Sequence, residues 1–193
     1  MPHLPLKPLV AVGLVLFAVA TAAALQPDRT PEPKRWWMEE PFRLVQTNLR
    51  ETDSGLDAKR LVEQLADFPA NVLLFGMGGI VAHYNTAIAF HRRSPHMPPG
   101  QDTFGDVLEE AHARGIRVIG RFDFSKAPKL AFDANPEWFF RKANGEPAIY
   151  NGLYATCING YYREPAMQIL TEALGRYDVD GLFFNMFGQP SSD

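Results

Sequence analysis

Four stretches of this chain read as β-strands whose polar residues gather at their carboxyl ends. The clearest are Arg117–Phe124 (RVIGRFDF) and Gly181–Phe187 (GLFFNMF). A strand alternates faces every residue, which puts Ile119, Arg121 and Asp123 on one side and Val118, Phe122 and Phe124 on the other. In the last stretch Phe183, Asn185 and Phe187 share a face, opposite Leu182, Phe184 and Met186. Phe42–Arg50 (FRLVQTNLR) repeats the pattern, with Gln46, Asn48 and Arg50 against Val45 and Leu49. A wholly apolar outer face requires covering helices. Polar groups at the carboxyl end of the inner face are what a (β/α) barrel needs for a ligand site.

The segments between these strands supply the helices. Asp57–Phe68 carries Ala58, Leu61, Leu65 and Phe68 at helical spacing. Asn71–Gly76 (NVLLFG) is a buried strand. Asp102 caps a helix that turns Phe104, Val107, Leu108 and Ala111 inward and stops at Gly115. A third helix opens with Pro165 and buries Ala166, Ile169, Leu170, Ala173 and Leu174. Asp178–Gly181 turns into the fourth strand. Such alternation implies parallel strands joined by crossovers. The loops after the second and third strands are long, whereas the helix-to-strand connections are short. Long loops carry function or local structure of their own, and these lie on the polar face. Asn135–Arg141 is expected to form a capped helical turn, followed by a reverse turn over Lys142–Ala148.

Residues 1–26 are expected to be a secretory signal peptide. The apolar run Leu9–Ala20 is followed by small residues at Ala22, Ala23 and Ala24. Export to the periplasm or beyond the cell follows, without stable membrane insertion after cleavage; a single-span anchor is the alternative. Residues 27–35 form a Pro-rich linker, and residues 36–193 hold the folding unit. A full (β/α)8 barrel has eight strands and about 250 residues. The expected fold class is therefore α/β, a (β/α)8 TIM barrel with only about the first four βα units present, as from a truncated chain. An open four-stranded domain is the alternative.

Composition excludes several partners and cofactors. A formal net charge of −3, with no cluster of basic and aromatic residues, argues against nucleic acid. Cys157 is the single cysteine, so no intramolecular disulfide forms. Gly76–Gly79 (GMGG) is a poor dinucleotide fingerprint, because Val81 stands at the third glycine position. His91 and His96 have no carboxylate partner nearby in sequence, so no metal site is expected, and no cofactor.

The blocks WWMEEPFRLVQTNLRETDSGLDAKRLVEQL, NVLLFGMGGIVAHY, RVIGRFDFSKAP, NPEWFFRKANGEP and RYDVDGLFFNMFG resemble the hypothetical glycosyl hydrolase 6 group. That group includes the α-L-fucosidase-like enzymes of glycoside hydrolase family 151. The resemblance runs from Trp36 to Gly188 and implies a (β/α)8 catalytic barrel acting on glycosidic bonds, with a carbohydrate substrate. Homo-oligomers are open to a full-length form. Related retaining fucosidases carry a nucleophilic Asp at the end of strand four; here that end holds Asn185, so the role is not transferred.

Asp123 is the expected catalytic carboxylate, with an ion pair to Arg121 as its structural alternative. His83 is expected to serve as an acid/base or hydroxyl donor, or else to be a surface-loop histidine. Arg121, Asn48, Asn185, Tyr84 and Tyr154 are expected to bind substrate, the amides and hydroxyls offering both donors and acceptors. A non-catalytic carbohydrate-binding or structural module derived from a hydrolase barrel is the competing reading.

Overall fold

A computed structural model describes residues 36–39 and 41–186. The expected signal segment, the linker and the last residues of the fourth strand region lie outside the described residues. The chain divides into two units, residues 1–39 and 40–193. In the first, α1 (Trp36–Glu39) holds Trp36 and Trp37 edge to face, ring centroids 5.9 Å apart.

The second unit runs β1 (Leu44–Gln46), α2 (Ala58–Asp67), β2 (Val72–Gly79), α3 (Thr103–His112), β3 (Arg117–Asp123), β4 (Lys126–Ala127), α4 (Lys129–Ala134), β5 (Ile149–Tyr150), β6 (Leu153–Ala155), α5 (Pro165–Arg176) and β7 (Gly181–Asn185). The main sheet has the order β1-β2-β3-β7, and every neighbouring pair is parallel. This is the expected βα alternation. Asp102 is the expected cap, accepting from the Gly105 amide at 3.0 Å, and Asp57, expected only as the start of its helix, accepts from the Arg60 amide at 3.0 Å. Gly115 ends the α3 turn with φ +69°, a conformation suited to glycine.

Alternation sorts β3 into two environments. Val118, Gly120 and Phe122 are buried, while Arg117, Ile119, Arg121 and Asp123 are half-buried. The buried face packs with Leu73 and Phe75 of β2 against Val62, Phe104, Val107, Ala111, Ile169 and Ala173 of the three long helices. Each large apolar side chain removed from water this way contributes about 1.5–3 kcal/mol. The helical faces differ from expectation at their ends. Phe68 and Leu174 are exposed, and Val62 takes the inward place on α2. Phe68 is the C-terminal cap of α2, beyond the last turn that faces the sheet.

β1 is three residues long, against the stretch of eight or nine expected, because its pairing with β2 ends just after Gln46. It and β7 are the edges of the sheet, and the apolar residues of both are partly exposed. The long third loop contains structure that local patterns did not indicate. β4, β6 and β5 form an antiparallel sheet, with α4 beside it. Asn135 does cap a helical turn, accepting from the Glu137 amide at 3.0 Å. The expected reverse turn closes through Lys142 N to Glu146 O at 2.8 Å. The long second loop is tied by Arg93, whose guanidinium donates to Asn85 Oδ1 and to the carbonyls of Met97 and Pro98 at 2.6–2.8 Å.

Candidate active site

β2 contains an irregularity that shapes the site. Gly76 pairs with Arg121 and Gly78 with Phe122, so Met77 is an extra residue bulged out of register. The bulge sets Gly76 on the inner face and Gly78 on the outer one. A Cβ at Gly76 would lie 3.6–3.7 Å from Cδ2 and Nε2 of His83. That is ordinary van der Waals contact, so the imidazole packs over Gly76, and the tighter neighbour of such a Cβ is Leu49 Cβ at 3.3 Å. Beyond the bulge, Gly79 has φ +108°, and a Cβ there would sit 2.1 Å from the Asp123 carbonyl oxygen. A larger residue cannot approach the end of β3 this closely.

Asp123 and Asn185 pair in register on β3 and β7, which brings together two residues that strand alternation places only on the inner faces of their own strands. Asn185 Nδ2 donates to Asp123 Oδ2 at 3.0 Å. The other carboxylate oxygen accepts from Ser125 N at 3.0 Å and Ser125 Oγ at 2.6 Å. All these donors are neutral, and both carboxylate oxygens act as acceptors. The alternative of an Arg121–Asp123 ion pair is not what forms: the buried Nε of Arg121 has no hydrogen-bond partner, and among the described residues no carboxylate forms an ion pair with it.

His83 is buried rather than a surface-loop residue, with 6 % of its surface exposed. Its Nδ1 lies 3.0 Å from Ser54 Oγ. That hydroxyl donates to the Glu51 carbonyl at 2.7 Å, so Nδ1 carries the proton and donates, leaving the lone pair on Nε2. Burial, reinforced by the charge of Arg121 and opposed by Asp53, lowers the imidazole pKa to about 4. His83 is therefore neutral near pH 7 and presents an acceptor at Nε2. The expected donor or general-acid role does not suit this state.

Asn48 is exposed, its Oδ1 accepting from Gln46 Nε2 at 2.8 Å. Two expected binding residues are placed elsewhere. Tyr84 is fully buried in the outer core, and its hydroxyl donates to Glu172 Oε2 at 3.1 Å. Aromatic contacts with His91 and Tyr177 hold it there, so it faces away from the ligand side. Tyr154 stacks on Phe132 at 4.2 Å within the small antiparallel layer and is not brought to Asp123.

The aromatic that does come near Asp123 is Tyr162. Its phenol pKa is raised by burial and then by the Asp123 charge. No local pattern separates Tyr162 from the other aromatics of its loop. Ser54 and Ser125 are not among the expected site residues; only Ser125, two residues past Asp123, carries a sequence signal, since a hydroxyl there can close an Asx turn. Among the described residues no group of three or more His, Cys, Asp or Glu side chains is arranged to hold a metal ion. No helix among them is long and apolar enough to cross a membrane.

The parallel sheet backed by helices, with a carboxylate, a cation and an imidazole toward the carboxyl ends of its strands, is similar to part of a glycosidase barrel. Residues 57–186 match the family described as hypothetical glycosyl hydrolase 6, and the chain belongs to that family. Among solved structures, it is similar to α-L-fucosidase isoenzyme 2 from Paenibacillus thiaminolyticus, with 20% identity and a TM-score of 0.62 over 77% of this chain and 24% of that one. A hypothetical protein from Ruminiclostridium thermocellum matches with 18% identity and a TM-score of 0.59, over 77% of each chain. A noncanonic maltogenic α-amylase from Thermotoga neapolitana matches with 17% identity and a TM-score of 0.54, over 75% of this chain and 39% of that one. The chain thus spans about a quarter of the fucosidase. No curated protein sequence matches it.

Proposed function

We propose that this chain carries one side of a glycoside hydrolase active site of the α-L-fucosidase type, with Asp123 as its reactive carboxylate. The observation that carries this reading is Asp123 itself, at the carboxyl end of an inner barrel face with both oxygens accepting hydrogen bonds from neutral donors. A carboxyl acting as proton donor would have to give up one of those acceptor positions. Asp123 is therefore assigned the nucleophile or water-activating role, and Asn185 and Ser125 orient it. His83 accepts from a sugar hydroxyl through Nε2, and Asn48 adds a further amide at the rim. Arg121 faces substrate.

Glycosidic hydrolysis needs a second carboxyl group, about 5–5.5 Å away for retention or 6.5–9.5 Å for inversion. Asp53 does not fit that role, because Arg50 binds both of its oxygens at 2.9–3.0 Å. The second group is assigned to residues outside those described, and the chain by itself is expected to turn over slowly or not at all. The test is hydrolysis of aryl α-L-fucosides and a panel of other aryl glycosides. In any form that turns over, Asp123→Asn is expected to lower kcat roughly 10²–10⁴-fold, the range typical of a positioned catalytic group. Unchanged turnover would remove Asp123 from the chemistry. A carbohydrate-binding module without catalysis is favoured by the neutral Asn185 at the end of β7; sugar binding without hydrolysis in a longer form would select it. Export by residues 1–26 is part of the proposal, checked by N-terminal sequencing of secreted protein.

A further inference from the structure

Arg121 is the least accounted-for group on the inner face. It is half-buried, its Nε is wholly covered without a partner, and among the described residues no ion pair neutralises it. Covered cations are ordinarily paired, because stripping water from a guanidinium is costly. The nearest carboxylate in sequence on the same face, Asp123, is engaged by Ser125 and Asn185 instead. The neighbouring imidazole is neutral and carries its proton on the far nitrogen, so it makes no claim on an anion. Gln46, Asn48 and Asn185 are uncharged amides, and Arg50, beyond the end of β1, is paired with Asp53.

Resting on the glycosidase reading above, we propose that Arg121 recognises the carboxylate of an acidic sugar, so that the substrate class is a uronic-acid-containing glycan. The guanidinium fork matches the two oxygens of a carboxylate, which hydroxyl groups of a neutral sugar match less well. A single cation beside one fixed anion also suits a group of one negative charge better than a phosphate dianion. His83 Nε2 and the amides would then take the remaining hydroxyls of the same ring.

The test is calorimetric titration of the full chain with methyl glucuronoside and methyl glucoside, which differ at the carboxylate. Wild type, Arg121→Gln and Arg121→Lys are compared, with near-ultraviolet circular dichroism to establish folding. The expected result is at least a tenfold lower Kd for the uronoside in wild type. That preference should vanish in Arg121→Gln, persist in part in Arg121→Lys, and weaken between low and high salt while glucoside binding does not. Equal binding of the two sugars overturns the inference and leaves the glycosidase reading intact; it is also the result expected if the fork takes a side-chain carboxylate from another protein segment. A preference that survives in folded Arg121→Gln places acid recognition elsewhere and overturns it too. Binding of neither sugar by folded wild type removes both the inference and the sugar site.

Discussion

His83 and His91 flank the β2 bulge, one against Gly76 and the other against Gly78. His91 accepts the Gly79 amide at Nε2, 3.3 Å away. Burial is the main reason that both imidazole pKa values fall to about 4. In the unfolded chain a histidine takes up its proton near pH 6.5. Between that value and about 4 the unfolded state binds more protons than the native one, so stability falls as pH falls through this window. Urea midpoints are expected to drop between pH 7 and pH 4.5, and the drop should shrink in His83→Gln. Superimposable pH dependences for the variant and wild type would mean that His83 is not buried as described. The inward facing of Asp123 and of Asn185 could be read from the sequence, because strand alternation is local and strict, whereas their pairing depends on the register of strands 62 residues apart. The direction of Tyr84 could not, since it depends on Glu172, a partner 88 residues away.

Glu172 decides how α5 holds the second loop. Its carboxylate accepts from Thr86 Oγ1 and Ala87 N at 2.6 Å and from the Tyr84 hydroxyl, and pairs with Arg176 at 3.0 Å. Burial pushes its pKa up, but the hydrogen bonds and Arg176 outweigh it, and the net shift is downward. The stabilisation from this carboxylate is complete above the ordinary carboxyl range and is lost as pH falls through its lowered folded value. Glu172→Gln is expected to cost roughly 1–3 kcal/mol, as for hydrogen bonds to a charged group. The Ala87 amide should exchange at least tenfold faster, read by hydrogen–deuterium exchange; an unchanged Ala87 would show that the loop does not depend on α5. Caps such as Asp57 and Asp102 are legible because donor and acceptor lie three residues apart. The β4-β6-β5 layer was illegible because Lys126 must meet Ala155, and short strands carry too little alternation to announce themselves.

At the scale of the molecule, the sheet presents two unpaired edges among the described residues. Along β7, Leu182, Phe183 and Phe184 are 37–44 % exposed. Open strand edges with apolar side chains pair readily with other chains. The chain is expected to associate with rising concentration, and Phe183→Lys to shift it toward the monomer, as sedimentation velocity would resolve. A wild-type chain that stays monomeric at high concentration would mean that the edges are protected.

The Glu172 contacts span 85–88 residues of sequence. During synthesis at about 5–20 residues per second, the ribosome needs roughly 4–17 s to travel from the second loop to α5. Throughout that interval the nascent chain holds β2 and the loop that follows it but lacks the carboxylate that secures them. The wall bearing His83 is therefore translated early and fastened late, and a protease or chaperone acting on the growing chain would meet the loop before its anchor exists.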